Sequence, residues 1–264
     1  MPHPVPSILL KMRRWCRWAD LNEPRPPTTM AHYVDHPFAS VTVDPASDSG
    51  AASFNRNRIR LWGGEAVAAS DLDNMAALFD AQGVRRFFVW LNPGPGIALV
   101  HEWLASRGAV QIPWTRYPTM VHSGQQSAPR PATTVEVRKV TRRDMEVAAP
   151  GADVMPGGYL ETLGRAGFHH FAAYESGRLI ATAGLTHWED MAYLNGAQTA
   201  EPFRRRGAQT ALIAARIDEA HRLGCALIVT ETLTMLPSSF ANLVRAGFEV
   251  AYEKEVFECV KGDG

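Results

Sequence analysis

Long apolar runs are missing from this chain: no stretch approaches the ~18 residues a membrane-crossing helix needs. Cysteine is scarce. Cys16, Cys225 and Cys259 are odd in number and widely spaced, so they form neither a disulfide framework nor a metal-ligand pattern. A reducing, cytoplasmic setting is expected, with no metal and no membrane partner. Excess charge of either sign is absent too, with 27 basic against 27 acidic side chains. That balance argues against a protein whose main work is coating nucleic acid, for which a basic domain is expected. The N-terminal stretch "MPHPVPSILLKMRRWCRW" lacks the apolar core of ~7–15 residues that a secretory signal carries. Rich in proline and arginine and followed by "NEPRPPTTM", residues 1–53 are expected to be a disordered leader, with Met30 as an alternative start.

What is present falls into two segments. "HSGQQSAPRPATT" has linker composition, and the linker proper is placed at 123–132. Beyond it, over 133–261, "TVEVRKV" alternates like a strand and "TRRDMEVAA" opens a helix. "FHHFAAYESGRLIATAGLTHW" reads as two strands around a turn, and "MAYLNGAQTA" as a third. From Gly207 the period becomes helical, with Ile213, Ile217, Ala220 and Leu223 on one stripe and Arg216, Glu219 and Arg222 off it. "CALIVTETL" is a buried-type strand, "SSFANLVRAGF" a short capped helix, and "EVAYEKEVFECV" is read as two closing strands. The order predicts an α/β layer on a mixed sheet.

Residues 54–122 repeat part of this plan: helix "DLDNMAALFDAQG", strand "VRRFFVWL", helix "IALVHEWLASRG", then strand. Trp62, Trp90, Trp103 and Trp114 are expected in that segment's core or in its contact with the second.

One stretch works against itself. "EPFRRRGAQTALIAAR" places three arginines at the start of a helix, the end that already carries a partial positive charge. The arrangement makes sense for a site that receives an anion, since free N–H groups at a helix N-terminus bind phosphate. No G-x-x-x-x-G-K-[ST] loop is present, and "NPGPGIAL" is too short of glycine for a dinucleotide fingerprint.

What remains, R-x-x-G-x-x from Arg204 through Gly207, resembles the pyrophosphate loop of the GNAT N-acetyltransferases. The element order, with "NLVRAGF" before the closing strands, is similar to the same family. The resemblance implies a GNAT fold, a mixed central sheet flanked by helices. It has the tandem form here, with the N-terminal half a degenerate copy lacking the arginine–glycine stretch. It further implies that Arg204, Arg205, Arg206, Gly207, Ala208, Gln209 and Thr210 hold the coenzyme A diphosphate. Ala197 and Thr199 would line the pantetheine, and Asn242 would lie near the sulfur. Gln209 departs from the family's usual Gly or Ala.

The implied activity is transfer of acetyl from acetyl-CoA to a primary amine of a small molecule or peptide, by direct attack of the amine. Such an amine is mostly protonated at neutral pH, so a base or a water chain is required. Tyr193 and Glu231 are the candidates for proton transfer. Leu243 stands where many family members carry a tyrosine acid. Two rivals are a non-catalytic acyl-CoA-binding module and a nucleic-acid binder using Arg204–Arg206. The reading allows an oligomer and expects no nucleic-acid partner.

Overall fold

The computed structural model describes residues 5–22, 32–35, 39–47, 50–62, 67–112, 117–122, 128–129, 133–147, 154 and 159–261. Most of the expected linker and Trp114 lie outside them. In the first half the elements are α1 (Val5–Asn22), β1 (His32–Asp35), β2 (Ala39–Val43), α2 (Gly50–Arg56) and β3 (Arg58–Leu61). They continue with α3 (Ala69–Ala81), β4 (Arg86–Leu91), α4 (Ile97–Ser106), β5 (Val110–Gln111) and β6 (Tyr117–His122). The second half holds β7 (Glu136–Lys139), α5 (Arg142–Val147), β8 (Phe168–Glu175), β9 (Arg178–Trp188) and β10 (Met191–Thr199). It ends with α6 (Ala208–Arg222), β11 (Leu227–Glu231), α7 (Pro237–Arg245) and β12 (Phe248–Val260).

The sheet is continuous through both halves, in the order β1-β2-β3-β4-β12-β6-β11-β10-β9-β8-β7, with β5 beside β12. The repeat is visible in its pairings. β3 runs parallel to β4 with α3 between them in sequence, as β10 runs parallel to β11 across α6.

The closing strands are exchanged. β6, from the first half, lies between β11 and β12, antiparallel to both. β12 pairs with β6 up to Lys254, then with β4 from Glu255 to Val260 and with β5 at Phe257 and Glu258. The two closing strands expected from "EVAYEKEVFECV" are therefore one strand of 13 residues. Its sequence contains no Gly, Pro, Asn or Asp at which a turn could form, and a bulge between Val250 and Tyr252 absorbs the twist.

The expected leader also needs correction. Val5–Asn22 is a helix, and Ile8, Leu9, Met12, Trp15, Cys16 and Ala19 form its buried stripe. The stripe packs on Met191, Leu227, Val229 and Tyr252, one face of the second half's sheet. Its Leu, Lys, Met and Arg residues favour a helix, and hydrophobic burial, roughly 1.5–3 kcal/mol per large apolar side chain, holds that helix on the sheet. β2 is buried throughout, so the first half begins well before residue 54. The opposite face of the sheet is covered by α6 and α7 through Leu212, Ile213, Ile217 and Leu243. Among the described residues, no helix is long and apolar enough to cross a membrane, and no cluster of three His, Cys, Asp or Glu forms a metal site.

Candidate active site

Between β10 and α6 the chain makes a short 3-10 turn at Glu201–Phe203 and then the arginine loop. Two loop residues take positive φ, Arg205 at 64° and Gly207 at 86°. Glycine adopts this region freely, and an arginine does not, so the loop carries local strain. Alternating backbone of this kind turns successive N–H groups toward one concavity, a shape that binds anions. The first intrahelical bond of α6 runs from Ala211 N–H to Gly207 O, at 2.9 Å. The N–H groups of Ala208, Gln209 and Thr210 precede it and have no partner within the helix. No acidic side chain occupies the first turn of α6. The first half differs here, because Asp71 in the first turn of α3 accepts the Ala68 N–H at 3.0 Å.

The three arginines play separate parts. Arg206 is tied to Glu175 at 2.9 Å and lies over the Phe203 ring, while Thr133 Oγ1 donates to its carbonyl. It braces the loop. Arg204 and Arg205 are exposed beside it. Gln209 turns away from the loop: its Oε1 accepts from Asn242 Nδ2 at 2.7 Å, and its Nε2 donates to Ser239 Oγ at 3.4 Å. The departure at this position is thus absorbed by α7, and Asn242 sits against Gln209.

β10 and β11 pair in parallel only from Met191–Leu227 to Leu194–Thr230, after which β10 bulges between Asn195 and Gln198 and the two strands part. Ala197 is exposed on the bulge, and Thr199 rejoins β9 opposite Ala181. Beneath the bulge lies Arg216, 3% exposed although it stands off the apolar stripe of α6. Its Nη1 donates to Gly184 O at 3.1 Å and Asn195 O at 3.2 Å, and its Nε to Leu212 O at 3.0 Å. Burial lowers its pKa to about 9. Gly184 must be glycine because the Asn195 side chain, bonded to Thr186 Oγ1, fills the place of a Cβ.

Where the strands part, Tyr193 and Glu231 meet. The Tyr193 hydroxyl donates to Glu231 Oε2 at 3.0 Å. Oε1 of the same carboxylate accepts from Thr119 Oγ1 at 3.0 Å and from the Lys254 ammonium. Lys254 lies over the rings of Trp90 and Tyr117, at 4.9 and 4.7 Å. Trp15 of α1 stacks on Tyr193 at 4.1 Å. Burial, then the neighbouring Glu231 charge, raises the Tyr193 pKa well above that of a free phenol, so it stays protonated at neutral pH. Both residues line a cavity of about 140 Å³ between the halves, which Trp62 and Trp90 also line, while Trp103 is in the first half's core. Leu243 is buried in the α6–α7 core.

Thr119 and Lys254 escaped the sequence reading because only the strand exchange brings them to Glu231. Arg216 escaped it because nothing along α6 marks a buried cation. The adjacent His169 and His170 separate as strand alternation requires. His170 bonds Thr162 Oγ1 at 2.9 Å, and His169 lies 3.5 Å from Glu219.

The fold that carries this site has counterparts among known proteins. Residues 136–239 match the model of the acetyltransferase (GNAT) family. The match spans 104 of the 264 residues, and over that stretch the chain resembles a GNAT domain. A GCN5-related N-acetyltransferase from Kribbella flavida superposes with a TM-score of 0.71 at 16% identity, covering 97% of this chain and 96% of that one. A tandem GNAT protein from the clavulanic acid biosynthesis pathway gives 0.59 at 12% identity, over 100% and 98%. The GCN5-related N-acetyltransferase from Sphaerobacter thermophilus gives 0.58 at 14%, over 99% and 95%. At these identities the likeness is one of fold, and it extends through the GNAT domain and the partial repeat before it. No curated protein matches the chain in sequence.

Proposed function

We propose that the protein transfers an acetyl group from acetyl-CoA to a primary amine, in the cytoplasm. The observation that carries this reading is the parting of β10 from β11 beyond Leu194 and Thr230. Tyr193 and Glu231 meet at that parting and line the cavity, and the N–H groups at the start of α6 follow β10 in the chain. The loop fits a diphosphate: Gly207 has no side chain to obstruct it, Gln209 is drawn aside, and no acidic side chain stands in the first turn of α6. Ala208, Gln209 and Thr210 would present N–H groups to the phosphates, with Arg204 and Arg205 supplying charge. Ala197 and Thr199 would lie along the pantetheine arm.

Acetyl-CoA supplies an acyl group activated as a thioester. The acceptor nitrogen forms a bond to the acyl carbon as the carbon–sulfur bond breaks. Its surplus proton passes to Glu231, the only carboxylate among the described residues lining the cavity, and the departing thiolate takes a proton from solvent. A thiol with pKa near ~8.5 is a tolerable leaving group, which suits a chain that has Leu243 in place of an acid. Tyr193, held protonated, orients Glu231. A positioned proton acceptor is typically worth ~10²–10⁴ in rate.

Calorimetry with acetyl-CoA and longer acyl-CoAs, followed by thiol release against an amine panel, tests the reading. Acetyl-CoA binding and amine-dependent thiol release are expected. Binding with no thiol release from any amine would instead favour a non-catalytic acyl-CoA module, a reading that the three donors engaging Glu231 also suit.

A further inference from the structure

The cavity has a wall that belongs to the first half. Arg58 and Arg60 alternate onto the same face of β3, and both line the cavity, as does Asn92 beyond the end of β4. Together with Lys254, they give the described lining three cationic side chains to one carboxylate, Glu231. The open hydrogen-bonding groups lean the same way. Trp15 and Trp90 line the cavity at 8% and 5% exposure, and neither indole N–H meets a protein acceptor. Buried donors in folded proteins almost always find an acceptor, so two such groups on one cavity call for a ligand or water that accepts. A single acceptor stands open beside them, Asn92 Oδ1, its amide nitrogen being spent on Leu61 O. The cavity is donor-rich, with two arginines in its wall, and its volume is close to that of a cavity of ~150 Å³ that takes benzene, a ligand of about six heavy atoms.

We infer that the acceptor is a small amino acid, its carboxylate held by Arg58 and Arg60 and its amine directed to Glu231. This inference rests on the transferase reading of the same site. A carboxylate brought into a buried site must be paired, and the planar donor fork of arginine matches its two oxygens.

The test is acetyl-CoA-dependent thiol release with glycine, L-alanine and β-alanine against glycinamide, L-alaninamide, β-alaninamide and spermidine. The amide's amine is less basic and more often unprotonated, which biases the comparison against the expected order. A preference for the acids of roughly 100-fold or more in kcat/KM is expected, because a site built to bond a group rejects the analogue lacking it. In Arg60→Gln, and separately in Arg58→Gln, the ratio of acid to amide rates should fall roughly tenfold or more, with Arg60→Lys recovering part of it. Thermal melts of the variants identify any that fail to fold. Amides or spermidine performing as well as the acids would overturn the inference, as would an undiminished ratio in both glutamine variants. Failure of the transferase reading looks different: acetyl-CoA does not bind, or no amine releases thiol. Calorimetry of β-alanine against β-alaninamide then decides alone. Tighter binding of the acid, lost in Arg60→Gln, supports the inference, and equal or absent binding overturns it.

Discussion

The Tyr193 hydroxyl donates to Glu231 Oε2 at 3.0 Å, joining β10 to β11 at the place where their parallel pairing ends. Backbone pairing stops at Leu194 and Thr230, where Thr230 Oγ1 also donates to Leu194 O at 3.0 Å, and the Tyr193–Glu231 bond adds a second side-chain link as the strands part. It sets the carboxylate at the inner end of the opening. Replacing Tyr193 with Phe should lower turnover roughly tenfold or more without weakening acetyl-CoA binding, and Glu231→Gln should cost roughly 10²-fold or more. Steady-state kinetics beside calorimetry separates the two quantities. Full activity in Tyr193→Phe would remove it from any part in proton transfer or positioning.

Gly207→Glu should abolish acetyl-CoA binding while the protein still unfolds cooperatively. The side chain would bring negative charge to the phosphate position at a φ of 86°. Gly207→Ala separates the causes, because it carries the backbone strain, roughly 1–2 kcal/mol, without the charge. Unchanged affinity in Gly207→Glu would displace the diphosphate from this loop.

α1 is expected to be structural. Trp15→Ala should destabilise the protein by about 3–5 kcal/mol, as large-to-small changes do at buried aromatics, and Met12→Ala by about 2–5. A chain begun at Met30 would bare Met191, Leu227, Val229 and Tyr252, and should aggregate or melt far lower. A truncated chain that melts like the full one would return this segment to the status of a leader.

The exchanged strands make each half incomplete alone. Residues 133–264 without β6 would leave β11 and β12 with unpaired edges, a known route to aggregation. Expressed separately, the halves should be insoluble or unfolded, and co-expression should restore a complex. Cooperative folding of residues 133–264 alone would contradict this.

Acid should weaken the second half. Burial first, and then the charge of Lys139 beside His169 and of His169 beside His170, lowers both histidines to about 4. Both are therefore neutral in the fold at pH 6 while the unfolded chain binds protons there. The stability is fully present above about 6.5 and is lost as pH falls from there through about 4, on the order of 3 kcal/mol for the buried His170. Urea titrations across that range should show the decline, with a shallower slope in His170→Gln. A flat profile in the native protein would refute it.

Local signals made much of this protein legible. The alternation of "TVEVRKV", the helical period after Gly207 and the glycines closing α6 and α7 act within a few residues, so the sequence alone determined those elements. The arginine loop was legible for the same reason, since arginine charge, one glycine and a helix start adjoin in the chain. The candidate site was only half legible. Tyr193 and Glu231 lie on strands that the pattern identified, but Thr119 stands 112 residues from Glu231 and reaches it only because β6 is inserted between β11 and β12. The stripe on α1 was present in the sequence as Ile8, Met12, Trp15 and Ala19, yet neighbouring prolines and arginines masked it until a sheet face was there to receive it. Arg216 could be placed only by the tertiary structure, because carbonyls of β9 and β10, added to Leu212 O on its own helix, justify its burial. Hydrogen bonds within a helix or turn depend on near neighbours, whereas strand order and buried charge depend on which distant surfaces exclude water together.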